Sequence, residues 1–157
     1  MAAIFTATGA KLSIAPSAAT EPANAAAYGG LTWTEIGFIE TLGEYGDESA
    51  AIDFAVLGDG RVRKAKGARN AGTLAVTAAH ITDDPGQQAA IAAEATNNNY
   101  PFKVELPNKL TSGGTNEINY FIGLVMSKRL NVGANDNVVR VTFNIGVNSK
   151  ITTVVAT

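Results

Sequence analysis

The run Gly67–Asn99, GARNAGTLAVTAAHITDDPGQQAAIAAEATNNN, constrains the fold more than any other part of this chain. It reads as a glycine turn, an alternating strand over Thr73–Ile81, one capped alanine-rich helix and an asparagine stop. Asp84 suits the N-cap, Pro85 the first helical position, and Gln87 falls three residues after the cap, the spacing of a capping box. Ala89–Ala95 carries very high helix propensity, and Asn97–Asn99 favours a left-handed stop. This helix, about 84–96, has one bulky aliphatic residue, Ile91. Alanine lets a helix backbone lie close to a sheet but buries little area, so the segment reads as a packing element without chemistry.

Almost everything else has the two-residue period of strands. Val138–Val147 alternates Val139, Val141, Phe143, Ile145 and Val147 with a more polar set. Tyr100–Leu106 repeats the pattern, and Pro101 suits an edge or a strand's first residues. Glu117–Arg129 is apolar on both faces, because Phe121 and Val125 oppose Ile118, Tyr120, Ile122, Leu124 and Met126. That predicts a central strand or one covered by another subunit. Further strands are expected at Thr34–Leu42, Ile52–Leu57, Arg61–Lys66 and Ile151–Val155, with a weaker one in Ile4–Ile14. Gly58-Asp59-Gly60 is a hairpin turn signal. Long loops are expected at Ala15–Gly30, Gly43–Ala51 and Pro107–Asn116, the last with the Gly-Gly content of a flexible tip. The sum is a mainly β chain, a β-sandwich or barrel-like domain with one flanking α-helix. Its 157 residues suit a single domain, with an N-terminal arm over about 1–30 and long loops at 43–51 and 107–116.

Composition narrows the chemistry. With no Cys and only His80 as histidine, thiol catalysis, disulfides and multi-histidine metal sites are excluded. The net charge of −2 does not favour strong nucleic-acid binding. No apolar run approaches the ~20 residues of a membrane span. MAAIFTATGAKL lacks a basic segment followed by an apolar core, so no signal peptide is expected and folding in a cytoplasm is.

His80 shares a face with Leu74, Val76 and Ala78, which favours a satisfied, half-buried histidine over a general base. Glu35, Glu40, Glu44, Asp47, Glu48 and Asp53 cluster without the spacing of a calcium loop or an aromatic sugar platform. A solvated or partner-facing stretch is the better reading. Arg61, Arg63, Lys64, Lys66 and Arg69 follow as a basic patch with no aromatic residue for base stacking. Pairing with the preceding acids, within or between subunits, is favoured over phosphate binding. No serine has a nucleophile-elbow context. No enzyme constellation, cofactor site or metal site is expected. The apolar strands Val138–Val147 and Ile151–Val155 would invite aggregation if left uncovered, which suits subunits that pair edge to edge.

Several features together resemble the major tail tube proteins of long, flexible-tailed bacteriophages. They are Trp33 with TWTEIGFIETL, the AIDFAVLGDGR strand and turn, the spacing of Gly67, Gly72 and Thr73, and DDPGQQAAIAAEA. YPFKVELP, the Gly-Gly loop and NYFIGLVMSKRLNVG follow in the family's order. The resemblance implies a structural virion protein, made in the host bacterial cytoplasm, that forms six-membered rings. The rings stack into a hollow tube, each subunit giving strands to a shared barrel with the helix outside. Implied partners are further copies of the chain, tail tip or baseplate, length-determining and terminator proteins, and double-stranded DNA in non-specific passage. Six copies give about −12 per ring, suited to a conduit that does not hold its cargo. Glu105 and Glu117 are lumen candidates. The 43–51 loop, with Glu44, Tyr45, Asp47 and Glu48, and the Ala15–Gly30 arm are candidates for ring-to-ring contact. The alternatives are an adhesin, fibre or capsid-decoration module, a small β-barrel enzyme, or an injection-tube subunit of a contractile or secretion system.

Overall fold

The computed structural model describes residues 3–157. The elements are β1 (Lys11–Ile14), α1 (Ala25–Gly29), β2 (Thr34–Ile36), β3 (Ile39–Thr41), β4 (Glu48–Ala55), β5 (Val62–Asn70), β6 (Thr73–Ala79), α2 (Pro85–Glu94), β7 (Tyr100–Glu105), β8 (Ile118–Asn131), β9 (Arg140–Val147) and β10 (Thr152–Val154). The fold is mainly β. One sheet runs β2-β1-β7-β8-β9-β6-β3, β10 adds to β8, and β4 with β5 forms a separate two-stranded sheet. All these pairings are antiparallel.

The first and last strands of the main path are neighbours in sequence. Ile36 ends β2 and Ile39 begins β3, and three Cα steps span at most ~11 Å. The two margins therefore stand side by side, and the sheet curls into a barrel-like wall. Inside it lie Leu12, Ile14, Leu74, Val76, Phe102, Val104, Phe121, Val141, Phe143 and Ile145, all buried. The alternation in β6 and β9 puts every second side chain into this core.

The expected strand at 34–42 is thus two strands on opposite margins, broken at Gly37-Phe38. The helix forms as its sequence dictates: Asp84 Oδ2 accepts from the Gln87 backbone N–H at 2.9 Å, and Pro85 opens the first turn. Gln87, Ala90 and Ala93 are buried against the core, and Ile91 packs half-buried at its margin. A Cβ on Gly86 would collide with the Glu35 carbonyl, so that first turn lies directly on β2. Two details differ from expectation. The Gln87 side chain does not return to the cap; it bonds neighbouring strands and loops. The helix also ends without a left-handed asparagine: Ala95 is right-handed, and the Thr96 hydroxyl donates to the Ala93 carbonyl at 3.0 Å.

The 15–30 stretch contains a second helix. Asn24 caps it by accepting from Ala27 N–H at 2.9 Å. Five residues carry little helical stability of their own, so packing holds α1 in place. Buried Tyr28 stacks on Tyr120 at 5.0 Å between ring centroids, and the Trp33 Nε1 donates to the Tyr28 carbonyl. Lys103 lies over the Trp33 ring at 5.3 Å. This small cluster covers Tyr120 and Ile122, the face of β8 away from the main core. The doubly apolar β8 is therefore central, between β7 and β9, and its own chain covers the second face at Ile118, Tyr120 and Ile122 but leaves Met126 exposed.

Val138–Val147 is no edge either, since β9 begins at Arg140 and lies between β8 and β6. In the first expected strand only Lys11–Ile14 pairs. The 107–116 loop is tied down: Asn116 and Asn108 side chains donate to Glu105 and Glu117 at 2.9 and 3.1 Å, and Leu110 N–H donates to the Thr157 carbonyl.

Candidate functional site

The hairpin of β4 and β5 is the part of the chain that its own fold leaves unused. Among the described residues its strands pair only with each other, and nearly every residue in them is exposed. Gly67, expected in a turn, lies inside β5. A Cβ there would stand 3.2 Å from the Ile52 side chain, beside the register shift at Ser49–Ala51. A glycine in such a place reads as a bulge residue. The Asp-Gly turn closes the hairpin, with Asp59 accepting from Arg61 N–H at 3.0 Å and Gly60 at φ +64°.

The hairpin has two unlike faces. Ile52 and Phe54 stand with their cross-strand partners Ala65 and Arg63, while Asp53 stands with Lys64 and Ala51 with Lys66. Phe54 is 67 % exposed and Ile52 54 %. The alternation in AIDFAV is that of a half-buried strand, yet both faces meet solvent. Sequence periodicity reveals the apolar face but not what covers it.

The basic patch lies on this hairpin. Lys64 pairs with Asp53 at 2.8 Å, Arg63 with Asp59 at 2.9 Å and Arg69 with Asp47 at 3.7 Å. Arg61 and Lys66 are in no ion pair among the described residues. Pairing with nearby acids thus accounts for three of the five bases, as solvent-exposed pairs worth little individually.

The 43–51 loop is shorter than expected, because Glu48 already belongs to β4. Glu44 and Asp47 are exposed, but Tyr45 turns inward. Its ring lies 6.2 Å from Phe121 and its hydroxyl accepts from Asn119 Nδ2 at 2.9 Å. Burial pushes its phenol above the ordinary 10.0, opposed by the Asn119 bond. Tyr45 anchors the hairpin root to the body. Glu105 and Glu117 sit half-buried at the base of the 107–116 loop, each holding an asparagine. His80 is half-buried, and its Nδ1 is buried without a partner among the described residues, so the side chain is not satisfied there as expected.

At the far end of β6 is a residue that sequence patterns do not flag. Phe38 has φ +59° and is 64 % exposed. A left-handed non-glycine residue costs about 1–2 kcal/mol, so other contacts hold it. Gly37 N–H donates to Asp84 Oδ2 at 3.1 Å, the Gly37 carbonyl accepts from Gln87 Nε2 at 3.1 Å, and the Phe38 carbonyl accepts from Ala79 N–H at 2.9 Å. Phe38→Gly removes the strain, and we expect it to raise unfolding free energy by about 0.5–1 kcal/mol in urea melts. A loss of stability would show that the exposed ring packs usefully within the monomer.

Beside Phe38, Glu40 pairs with Arg140, whose Nη2 lies 3.2 Å from Oε1. Arg140 holds the Glu40 carboxyl below the usual 4.5. A depressed carboxyl contributes stability that is full above the unfolded value and lost as pH falls through the lower folded one. Glu40→Gln is therefore expected to lower stability slightly at neutral pH, to match the unmodified protein at low pH, and so to flatten the fall in stability below about 4.5. An unchanged acid limb would contradict this.

A curled sheet closed by its own chain, with an amphipathic hairpin left standing in solvent, defines a structural β subunit built to meet a partner. The sequence profile of the phage tail tube protein family matches residues 22–156, and the chain belongs to that family. It is a structural component of the phage tail tube, and its partners include further copies of itself. Two solved structures share the fold. A chain of the sixfold-symmetrised baseplate of the anti-feeding prophage (AFP) matches at TM-score 0.72 and 11 % identity, over 99 % of this chain and 98 % of that one. The SPP1 tail tube subunit matches at TM-score 0.59 and 13 % identity, over 93 % and 77 %. No curated protein matches in sequence.

Proposed function

We propose that this protein forms rings of six subunits that stack into the hollow, non-contractile tail tube through which double-stranded DNA leaves the capsid for the host. The tube grows from a tip complex around a length-determining protein and ends at a terminator. The observation that carries this is the β4–β5 hairpin, an exposed arm with an apolar face on a chain of the tail tube family. The sixfold symmetry of the AFP baseplate, which contains a chain of the same fold, supports the ring number.

Ring-to-ring contact is assigned to the hairpin with Glu44, Asp47 and Glu48 at its root. Tyr45 contributes by fixing that root. Ala15–Gly30, seated on β8 by Tyr28, contributes through its exposed residues. Glu105 and Glu117 face the lumen in this reading and repel DNA phosphates.

Negative-stain microscopy of concentrated protein tests the assembly: hollow tubes of stacked rings are expected, and compact monomers at every concentration would refute it. Glu105→Lys with Glu117→Lys is expected to slow DNA ejection from assembled phage, and normal kinetics would remove the lumen assignment.

The full-length match to the AFP baseplate chain favours one other reading, a tube of an injection machine. Tubes joined to DNA-filled heads select the first; free tubes within a contractile sheath select the second.

A further inference from the structure

The hairpin and the strained Phe38 lie at opposite ends of the same strands. The hairpin root, Asp47 and Asn70, adjoins Thr73 and Val147, which begin β6 and end β9. Phe38 adjoins Ala79 and Arg140, the other ends of those strands. Seven residues of β6 separate them by roughly 20 Å.

At the Phe38 end the surface is apolar. Phe38, Ile39, Ala79 and Val138 line a pocket of about 300 Å³, with the Glu40–Arg140 pair at its rim. Val138 is 57 % exposed, and exposed Leu130 and Val132 stand at the end of β8 on the same side. A chain that gathers exposed apolar side chains here, and holds one in a costly backbone conformation, presents a docking surface.

Charge identifies the occupant. Between Glu48 and Asn70 the chain carries five bases and three acids, while the rest carries seven bases and eleven acids. The hairpin is positive and the body negative, so hairpin-to-body contact between copies is favoured over hairpin-to-hairpin or body-to-body contact.

We propose that the apolar face of the hairpin, Ile52 and Phe54, seats in the Phe38–Val138 pocket of a second copy. Phe54 enters between Phe38 and Val138, and the basic residues of β5 lie along the acidic body. This rests on the tube reading and names its contact. Because donor and acceptor lie at opposite ends of one subunit, each copy that receives a hairpin still offers its own. Such a head-to-tail contact does not close on a pair but propagates, as a stack of rings requires.

The chain has no cysteine, so disulfide trapping reports this contact without background. Phe54→Cys and Val138→Cys subunits are mixed, assembled and oxidised, and cross-linked peptides are identified by mass spectrometry. A peptide pair joined by a disulfide between positions 54 and 138 is expected. A mixture of Phe54→Cys with Leu110→Cys, placed on the 107–116 loop at the other end of β8, is expected to give none. Tubes without the 54-to-138 link, or with as much of a 54-to-110 link, would overturn the contact and leave the tube reading intact. Failure of the unmodified protein to form tubes would overturn both. Phe38→Gly gives a second measure: it is expected to fold and to raise the concentration needed for tubes at least about tenfold, the effect of ~1.4 kcal/mol lost at each contact. An unchanged threshold would also count against the pocket.

Discussion

Gln87→Ala is expected to lower unfolding free energy by about 3 kcal/mol or more, and the melting temperature by about 10 °C. Gln87 is fully buried, and its amide joins the helix start to three other parts of the chain. Its Oε1 accepts from Ile81 N–H at 3.1 Å, and its Nε2 donates to the carbonyls of Gly37 at 3.1 Å and Ala79 at 2.8 Å. Removing the amide leaves three backbone groups unpaired where the fold is closed, each costing about 1–3 kcal/mol unless water enters. The truncation also opens a cavity at the foot of the helix. Gln87→Leu fills that volume but leaves the same groups unpaired, so it is expected to recover only part of the loss. Urea denaturation decides the matter: Gln87→Ala within about 1 kcal/mol of the unmodified protein would show that these bonds are replaced.

Gln87 also shows what sequence can and cannot disclose. Its position three residues after Asp84 marks a helix start, and the helix begins there. The capping-box role is a local reading of a residue whose partners are 50 and 8 positions away along the chain. Local rules find β6, β7, β8, β9 and α2, where period and capping are strong. They fail where tertiary contacts decide. Gly37-Phe38 splits one apparent strand between two margins, because the sheet must curl there. A short helix hides in an alanine run, because burial of Tyr28 and the Asn24 cap hold it where length alone would not. The proposed assembly surface is half legible. The basic patch, the acids and the hairpin turn are visible in sequence, and so is the apolar alternation of Ile52 and Phe54. That this alternation faces solvent is a fact about what the rest of the chain leaves uncovered, and no periodicity records it.

Removing the hairpin is expected to abolish assembly while sparing the fold. Deleting Ala51–Lys66 and joining Ala50 to Gly67 through Asn-Gly bridges neighbouring points, since the Ala50 carbonyl lies 3.2 Å from the Cβ position of Gly67. None of the deleted residues belongs to either buried cluster, and their strands pair with no other among the described residues. The melting temperature should stay within about 3 °C of the unmodified protein, a change of about 1 kcal/mol for a chain of this size. Tubes should be absent at every concentration, because each subunit loses the apolar arm that its neighbour receives, while the body keeps its net negative charge. A wider deletion that takes Tyr45 would confuse the two effects, since its ring packs on Phe121 and its loss would unfold the root. Tubes of normal width from the shortened protein would refute the role of the hairpin. A collapsed melting temperature would show that the hairpin is part of the fold and not an arm.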